Sequence, residues 1–377
     1  MTPESKIVPE LTTRILRPSD LSQGELAEWE LLAEAASVAN PCLEPGFVMA
    51  AAAHLSKGVE LVAMYAQDRL VAIIPAYRSN RLGRLPVPVG TRTGWLPSFL
   101  GEPPIAQGFG TPAGHAIIDE LSRSRRSWLR LHNLDAGGDF AAGVQAAAHQ
   151  RGFFVHSERW SRGYATRRPD PSYVDDASHA NLARLRRQWR SFERSTGHEL
   201  AIRDRREDAN AMDVFMDLEL RGWKGREGVA FGSKPGGAQF LRSMAPWFRE
   251  RGRLRVWTLE AGDRVLAMKI NLVHRDTIFC FAITFDEADG RLSPGLQLEI
   301  VNFDRFHAEP SARFMDSCAS PNNRFANRLY PERRNLVSLD IGAGVAGRSL
   351  VRALPVARRA LQSLRTRMRR PQARGGA

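Results

Sequence analysis

The sequence predicts a mixed α/β protein built from two similar halves, and three observations support this fold class. The chain has 377 residues, 43% of them hydrophobic and 25% charged, which is typical of a globular protein long enough for two domains. A segment that resembles a β-hairpin occurs once in each half. The helices and strands that we predict around the two copies follow the same order.

The repeated segment is visible in the residues themselves. One copy runs from Glu60 to Tyr77 (ELVAMYAQDRLVAIIPAY), and the other runs from Arg255 to Leu272 (RVWTLEAGDRVLAMKINL). Both contain Ala-x-Asp-Arg followed by two aliphatic residues and alanine. Two apolar strands around a tight turn, Gln67-Asp68 or Gly262-Asp263, predict a hairpin in each half.

Hydrophobic periodicity predicts the other elements, with a period near 3.6 for helices and alternating or β-branched runs for strands. In the first half these are helices at 21–37 and 45–55, the hairpin, a Pro/Gly-rich loop at 78–114, a helix at 116–123, a strand at 127–134, a helix at 140–152 and a strand at 153–160. In the second half they are a strand at 198–203, helices at 208–223 and 237–250, the hairpin, a strand at 277–285, a helix from Ser293-Pro294, a strand at 312–317, a short helix and a strand at 335–341.

These elements divide the sequence into four parts. The first lobe covers residues 1–172 and the second covers 198–341, with a connecting helix within 173–197 that the arginine-rich, uninterrupted pattern from Ser178 to Gly197 predicts. The last part, 342–377, is an arginine-rich tail with an apolar helical stripe, which Pro355 should divide. The stripe consists of Leu350, Leu354, Ala357, Leu361, Leu364 and Met368. The tail either lies on an anionic membrane surface, docks on the protein's own body or is disordered towards its end.

The charge distribution argues against a nucleic-acid enzyme. The net charge is +13, but the tail holds nine arginines and no acid, which leaves 13 − 9 = +4 for the first 341 residues. A nucleic-acid enzyme usually carries a basic face on its folded body. Transfer RNA is the one nucleic-acid partner that we keep open, because the connecting helix carries Arg184, Arg186, Arg187, Arg190 and Arg194.

The sequence also points to a cytoplasmic protein without a metal site. No apolar run reaches the length of a membrane span, and the first residues have no apolar core that could serve as a signal peptide. Cys42, Cys280 and Cys318 are odd in number and far apart, which fits a reducing compartment. The nine histidines form no pair at ligand spacing, so we expect no metal.

One turn in the second half has the features of an anion site. The segment Gly290-Arg291-Leu292-Ser293-Pro294-Gly295 follows a strand and opens a helix. Helix N-terminal amides beside an arginine can bind phosphate, although a plain N-cap serine before a first-turn proline would give the same pattern. The corresponding first-lobe segments, 101–104 and 108–114, contain no basic residue, so we expect the first lobe to be degenerate.

The order of elements resembles the GNAT N-acetyltransferase superfamily over nearly the whole chain to Ile341. Four segments are similar to acetyltransferase-like proteins of the cellulose-biosynthesis (CelD) type. They are Asn40-Pro41 with Pro45 and Phe47; Arg184 to Gly197; Trp223-Lys224-Gly225-Arg226 with Gly228 and Ala230; and Ser293-Pro294-Gly295 followed by Asp316-Ser317-Cys318.

The resemblance implies acetyl-CoA as co-substrate and assigns roles to nine residues. Arg291, Ser293 and Gly295 would bind the coenzyme A diphosphate, and Trp223, Lys224 and Arg226 would line the acceptor side. Glu219 and Asp316 are candidate bases for the acceptor amine, and Tyr330 is the candidate acid for the leaving thiolate. Each of these residues also has an ordinary structural interpretation: a helix C-terminus, a solvated charge or a packed turn.

We therefore predict an N-acyltransferase whose second lobe transfers acetyl from acetyl-CoA to a small-molecule or glycan amine in envelope polysaccharide metabolism. Two alternatives stay open. Tandem copies also resemble the Fem-type transferases, which use aminoacyl-tRNA, and a degenerate GNAT-like protein could bind a polysaccharide component without catalysis. The tail would allow peripheral association with the inner membrane surface.

Overall fold

The first half of the chain follows the predicted order, with two additional strands. The computed structural model describes residues 10–82, 85–96, 98–168, 179–323, 326, 329–330 and 332–368. The first-half elements are β1 (Thr12–Leu16), α1 (Gln23–Ala35), α2 (Pro45–His54), β2 (Val59–Ala66), β3 (Arg69–Leu82), β4 (Leu85–Arg92), α3 (Gly110–Arg123), β5 (Trp128–Asp135), α4 (Asp139–Gln150) and β6 (Phe154–Thr166). Strand β1 was not predicted, and β4 with the end of β3 occupies the first part of the predicted 78–114 loop.

The second half repeats this order and adds a C-terminal helix. Its elements are α5 (His179–Thr196), β7 (Leu200–Asp204), α6 (Ala211–Arg221), α7 (Trp223–Arg226), α8 (Gly237–Glu250), β8 (Leu254–Ala261), β9 (Arg264–His274), β10 (Thr277–Phe285), α9 (Pro294–Ala308), β11 (Phe314–Asp316), β12 (Glu332–Gly342) and α10 (Gly344–Met368). The α/β class with two similar halves is thereby confirmed. Local signals set several helix starts: Ser22 and Glu25 form a capping box at α1, and prolines open α2 and α9.

All described strands join in one sheet, in which the halves exchange their last strands. The strand order is β1-β2-β3-β4-β5-β12-β6-β11-β10-β9-β8-β7. Strand β12 of the second half pairs antiparallel with β5 and β6 of the first half, and β6 pairs antiparallel with β11. The lobes predicted at 1–172 and 198–341 therefore divide the sequence, whereas the sheet runs through both.

The two halves also share a hydrophobic core and a row of ion pairs. Phe47 and Phe99 of the first half pack in one buried cluster with Phe240 and Phe281 of the second. Helix α1 and the segment after it face the end of α8 and the β8–β9 hairpin through charged pairs. These pairs are Arg251–Glu30 at 2.6 Å, Arg253–Glu44 at 2.8 Å and an ion pair between Arg253 and Glu34. Because these contacts cross the halves, the lobes hold each other in place.

The basic helix α5 docks on the second lobe. Trp189 and Phe192 pack against a cluster that contains Leu200 and Leu259. The Gln188 amide donates to the backbone carbonyl of Arg291 at 2.6 Å, so α5 contacts the turn before α9. Its arginines point to solvent: Arg184, Arg186, Arg187, Arg190 and Arg194 are all exposed.

The tail forms a single helix, α10, whose first half docks on the body. The predicted break at Pro355 does not occur, since the helix runs through the proline from Gly344 to Met368. Val351 and Leu354 are buried against Trp128, and Arg358 lies 3.1 Å from the Asp340 carboxylate. Three members of the predicted stripe, Leu361, Leu364 and Met368, have side chains outside the described residues.

Within the described ranges, no helix combines the length and the apolar character that a membrane span requires.

Candidate active site

Strands β10 and β11 separate at the centre of the second half and leave a cavity between them. They pair in parallel only from Thr277–Phe314 to Phe279–Asp316, where β11 ends. Strand β10 continues to Phe285, and its register with β9 shifts between Phe279 and Ala282. The opening contains a cavity of about 820 Å³. This region of β10 thus has backbone groups that β11 does not pair.

Four parts of the chain surround the cavity. One wall is β10 from Cys280 to Phe285, and the facing wall is the segment 317–320 after β11. The start of α9 closes one end, and α6 with the segment up to Lys234 covers another side. The first half contributes the loop residues Leu96, Ser98 and Phe99. The cavity is therefore built by both halves, although most of its lining comes from the second.

The structure brings six of the nine predicted site residues to this cavity. Its lining includes Glu219, Trp223, Lys224, Ser293, Gly295 and Tyr330. Arg226, Arg291 and Asp316 are not part of the lining.

Asp316, a predicted base, is instead the centre of a buried ion group. Its side chain is 0% exposed and lies 2.7 Å from Arg162, which is also 0% exposed, and 3.3 Å from Arg334. Its other oxygen accepts from the backbone N–H of Cys318 at 2.9 Å. A fully buried carboxylate that two guanidinium groups hold, and that does not line the cavity, is not placed to contact an acceptor amine. Asp316 instead fixes the end of β11 beside the cavity.

The two predicted arginines also lie outside the lining. Arg226 pairs with Glu287 at 2.5 Å on the surface. Arg291 is exposed next to Gly290, which does line the cavity. It therefore lies where a phosphate at the cavity end could be contacted from outside.

The start of α9 has a backbone geometry that leaves it open towards the cavity. Ser293 has φ 55° and makes no side-chain cap to the helix. A Cβ at Gly295 would come within 2.8 Å of the Phe285 ring, so glycine allows the close approach of α9 to β10. The predicted turn is thus present, but the serine does not act as an N-cap.

Glu219 and Lys224 form a pair at the rim. Glu219 is 2% exposed, and its two oxygens accept from Lys224 Nζ at 2.8 Å and from the backbone N–H of Phe231 at 2.7 Å. Lys224 Nζ also donates to the Ile283 carbonyl of β10 at 2.8 Å. This network ties the segment after α6 to the cavity wall.

A second buried network surrounds Tyr330 and includes two residues that the sequence analysis missed. The Tyr330 hydroxyl donates to Glu299 Oε1 at 3.0 Å, and Glu299 Oε2 lies 2.5 Å from Lys269 Nζ. Cys280 Sγ lies 3.0 Å from the same hydroxyl. The sequence signal was present, because Lys269 and Asn271 are the two polar residues of a mainly apolar strand, LAMKINLV. A lysine in such a strand needs a buried partner.

Burial determines the ionisation of this network. Desolvation, with Cys280 and Glu299 nearby, raises the pKa of Tyr330 well above its ordinary value. Desolvation also raises the pKa of Cys280 to about 11, so both groups stay protonated at neutral pH. Burial alone would lower the pKa of Lys269, but Cys280 and Glu299 outweigh it and the net shift is upward. Lys269 and Glu299 are therefore a charged pair behind a neutral phenol.

In the first half, the corresponding opening is filled by the chain itself. Strands β4 and β5 pair in parallel up to Arg92–Arg130, and the next residue, Thr93, bonds to the Arg130 carbonyl at 3.0 Å. The loop then returns to β5, where the Gly101 N–H donates to the Asn133 carbonyl at 3.1 Å. A Cβ at Gly101 would lie 1.7 Å from the His132 carbonyl oxygen, so only glycine fits there. The loop of the first half therefore completes the sheet at this point, and its residues Leu96, Ser98 and Phe99 line the cavity of the second half.

Within the described part of the chain, no group of three or more His, Cys, Asp or Glu residues could hold a metal ion.

A mixed sheet with two separating parallel strands, a cavity between them and a helix opening at its end defines the class of GNAT-type acyltransferase folds. Residues 180–319, in the second half of the chain, match the family model described as an acetyltransferase (GNAT) domain. The matched range begins within α5 and ends just after β11. A search of curated protein sequences gives no match.

Solved structures share this fold over both halves. FemX is 8% identical with a TM-score of 0.58, over 87% of this chain and 96% of that one. A C-terminal domain from Agrobacterium fabrum, assigned to a lysylphosphatidylglycerol synthetase, is 10% identical with a TM-score of 0.56, over 89% and 97%. A conserved protein from Bacteroides thetaiotaomicron is 10% identical with a TM-score of 0.52, over 86% and 98%. At these identities the similarity establishes the fold alone.

Proposed function

We propose that the second lobe is an N-acyltransferase that moves acetyl from acetyl-CoA to an amine. The observation that carries this proposal is the separation of β10 from β11 directly beside the opening of α9. An unpaired strand edge offers N–H and C=O groups to the amides of a pantetheine arm, and a helix N-terminus favours its diphosphate. Both features border one cavity of about 820 Å³.

We assign the diphosphate to the turn from Gly290 to Gly295, with Arg291 contacting it from the exposed side. Tyr330 supplies the proton to the thiolate that leaves when the amine nitrogen attacks the thioester carbon. The raised pKa of Tyr330 keeps the phenol protonated at neutral pH, so it has a proton to give to the thiolate. Glu219 receives the proton that the amine loses, while Lys224 holds it in place.

The donor assignment is tested by calorimetry with acetyl-CoA. We expect Arg291→Ala to weaken binding about tenfold, because a charge-assisted hydrogen bond contributes about 1.5 to 3 kcal/mol. Arg69→Ala is the matched control, since Arg69 is an exposed arginine on the first-lobe hairpin. An unchanged dissociation constant in the Arg291 variant, or no binding to the wild type, contradicts the assignment.

A second candidate is aminoacyl transfer from aminoacyl-tRNA. It is favoured by the fold shared with FemX and by the exposed arginine face of α5, which contacts the turn before α9 through Gln188 and Arg291. Incubation with acetyl-CoA or with aminoacyl-tRNA, followed by mass spectrometry of a mixed amine panel, separates the two. Modification by aminoacyl groups alone selects the second candidate, and binding of amines without any product selects a non-catalytic binding protein.

The setting that we propose is cytoplasmic, with an amine of envelope polysaccharide metabolism as acceptor. The similarity of four sequence segments to CelD-type proteins supports this setting. Peripheral membrane contact through the tail has less support, because Val351 and Leu354 already pack on the body.

A further inference from the structure

The charges on the cavity lining do not balance. The lining contains two carboxylates, Glu219 and Glu299, and three lysines, Lys224, Lys234 and Lys269. Glu219 is paired with Lys224, and Glu299 is paired with Lys269. The remaining lysine, Lys234, is exposed and has no carboxylate within ion-pair distance among the residues that the structure describes. The cavity thus has one excess positive charge.

The lysines of this chain are concentrated at the cavity. The sequence has only five, Lys6, Lys57, Lys224, Lys234 and Lys269, among 54 basic residues. Three of the five line the cavity, whereas no arginine does so within the described lining. Lys224 Nζ has three protons and uses two of them, towards Glu219 and Ile283. A second ammonium group at the rim therefore has a donor left for a ligand.

Lys234 lies on the side of the cavity that faces the first lobe. Gly236, two residues further on, packs so closely that a Cβ there would lie 1.8 Å from the His54 carbonyl oxygen of α2. Lys234 Nζ is 5.7 Å from the centre of the Phe231 ring, and that ring stacks on Phe281 at 5.7 Å. Phe99 of the first lobe lies 5.2 Å from Phe281 on its other side. Phe99, Phe281 and Phe231 thus form an aromatic wall, and the ammonium group of Lys234 lies at its end.

We propose that this side of the cavity is a subsite for an acidic group on the acceptor, so that the acceptor is an amine that also carries a carboxylate or a phosphate. Lys234, with the free donor of Lys224, binds the acidic group, and the aromatic wall contacts the carbon skeleton. This inference rests on the proposed acyltransferase function and names its acceptor class. The donor's phosphates are assigned to a different part of the cavity, the turn from Gly290 to Gly295, which contacts α5 through Gln188.

The test compares amines in matched pairs that differ only in the acidic group. One pair is an amino acid and its amide, and the other is glucosamine 6-phosphate and glucosamine. Binding is measured by calorimetry on the full-length protein without donor, and turnover is measured as thiol release from acetyl-CoA. The wild type should prefer the acidic member of at least one pair, and the preferred pair identifies a carboxylate or a phosphate. The preference should fall with added salt.

Lys234→Gln should remove this preference. An exposed charge pair contributes up to about 1 kcal/mol, so we expect about a fivefold weaker binding of the acidic amine and no change for its neutral partner. Lys57→Gln, a substitution of an exposed lysine that does not line the cavity, is the control. The affinity for acetyl-CoA should not change in either variant.

Other outcomes overturn the proposal. Equal binding of both members of each pair, or an equal loss for both in Lys234→Gln, rejects the acidic subsite. A weaker affinity for acetyl-CoA in Lys234→Gln would place Lys234 at the donor instead. If the preference for acidic amines is present but acetyl-CoA neither binds nor reacts, the subsite stands and the acetyltransferase function fails.

Discussion

Tyr330 lines the cavity, and its hydroxyl is hydrogen-bonded within a buried network. It donates to Glu299, which is fixed by Lys269, and all three side chains are buried. Removing one charge of a buried pair leaves the other uncompensated, which costs more than the pair itself contributes. The network therefore sets the position of the phenol rigidly, as a proton donor requires.

Tyr330→Phe should lower the turnover number by about a hundredfold or more, because general acid catalysis contributes about 10² to 10⁴ in rate. The ring still packs on Phe303, so the fold and the affinity for acetyl-CoA should be kept. Tyr77→Phe, which removes a first-lobe hydroxyl near the Gly94 carbonyl, serves as control. Turnover and donor affinity are measured separately. Full activity of Tyr330→Phe would remove Tyr330 from the chemistry.

Residue types and local order predict some members of the site, and tertiary contacts decide the others. Lys224 was predicted from a helix end, Glu219 from its position one helical turn earlier and Tyr330 from the resemblance to the superfamily, and all three line the cavity. Asp316 also lies at a strand end, but its partner Arg162 is 154 residues away on β6 and its partner Arg334 is 18 residues away on β12. The sequence does not single out Lys234, because its proposed role depends on the ion pairs of the other two cavity lysines, Lys224 with Glu219 and Lys269 with Glu299.

At the scale of elements, the prediction of a loop over residues 78–114 was wrong for the first part of that range. Prolines and glycines between 78 and 114 predict a loop, yet β3 extends to Leu82 and β4 follows at once. Their pairing runs from Tyr77–Arg92 to Leu82–Leu85. Proline is tolerated in a strand where its missing N–H is not needed for pairing. Composition cannot show which N–H groups those are.

Helix α10 gives a prediction at this scale, because it uses its apolar side for packing. Val351→Asp should lower the free energy of unfolding by about 3 kcal/mol or more, since Val351 is 0% exposed and a buried charge without a partner is costly. Val356→Asp is the matched control on the same helix, because Val356 is 67% exposed. Urea unfolding measures both variants. Equal stability of the two would show that α10 is not docked in solution.

At the scale of the whole molecule, the halves meet through buried polar groups as well as apolar ones. His274, at the end of β9, is 1% exposed and accepts the Asn40 backbone N–H at Nδ1, at 3.1 Å. Burial, reinforced by Arg253 and Arg275, lowers the pKa of His274 to about 3. The folded protein therefore keeps this imidazole neutral across the range in which an exposed histidine becomes charged.

At His274, acid favours the unfolded chain, whereas the neighbouring Glu44, whose pKa burial raises to about 8, acts in the opposite sense. Below about pH 6.5, His274 binds a proton in the unfolded chain but stays neutral in the folded chain. The contribution of this group to the free energy of unfolding therefore falls as the pH falls. Between pH 7 and pH 5.5 this one group should cost about 1.3 kcal/mol. Unfolding of wild type and His274→Gln at both pH values isolates that contribution, and His198→Gln, at an exposed histidine, is the control. The same pH dependence in wild type and His274→Gln would contradict the assignment.

The sequence predicts the repeated unit but not how the two units join. Hairpins and helices are encoded locally by periodicity and turn residues, so both copies were recognisable. The pairing of β12 with β5 and β6 joins residues about 170 to 210 positions apart, and nothing in either strand alone selects the other. The predicted boundaries therefore divide the sequence into lobes whose strands pair with each other in one sheet.

The position of β12 also determines when the protein can fold during synthesis. Strands β5 and β6 leave the ribosome with a vacant place between them, and the strand that fills it begins only at Glu332. At about 5 to 20 residues per second, roughly ten to thirty seconds pass with three open strand edges, one on β5 and two on β6, because both sheet neighbours of β6 come from the second half. Such edges are templates for wrong pairing, so we expect the nascent chain to depend on chaperones until its last strand arrives. The risk of wrong strand pairing is therefore greatest during synthesis, before β12 has been made, and not in the finished protein.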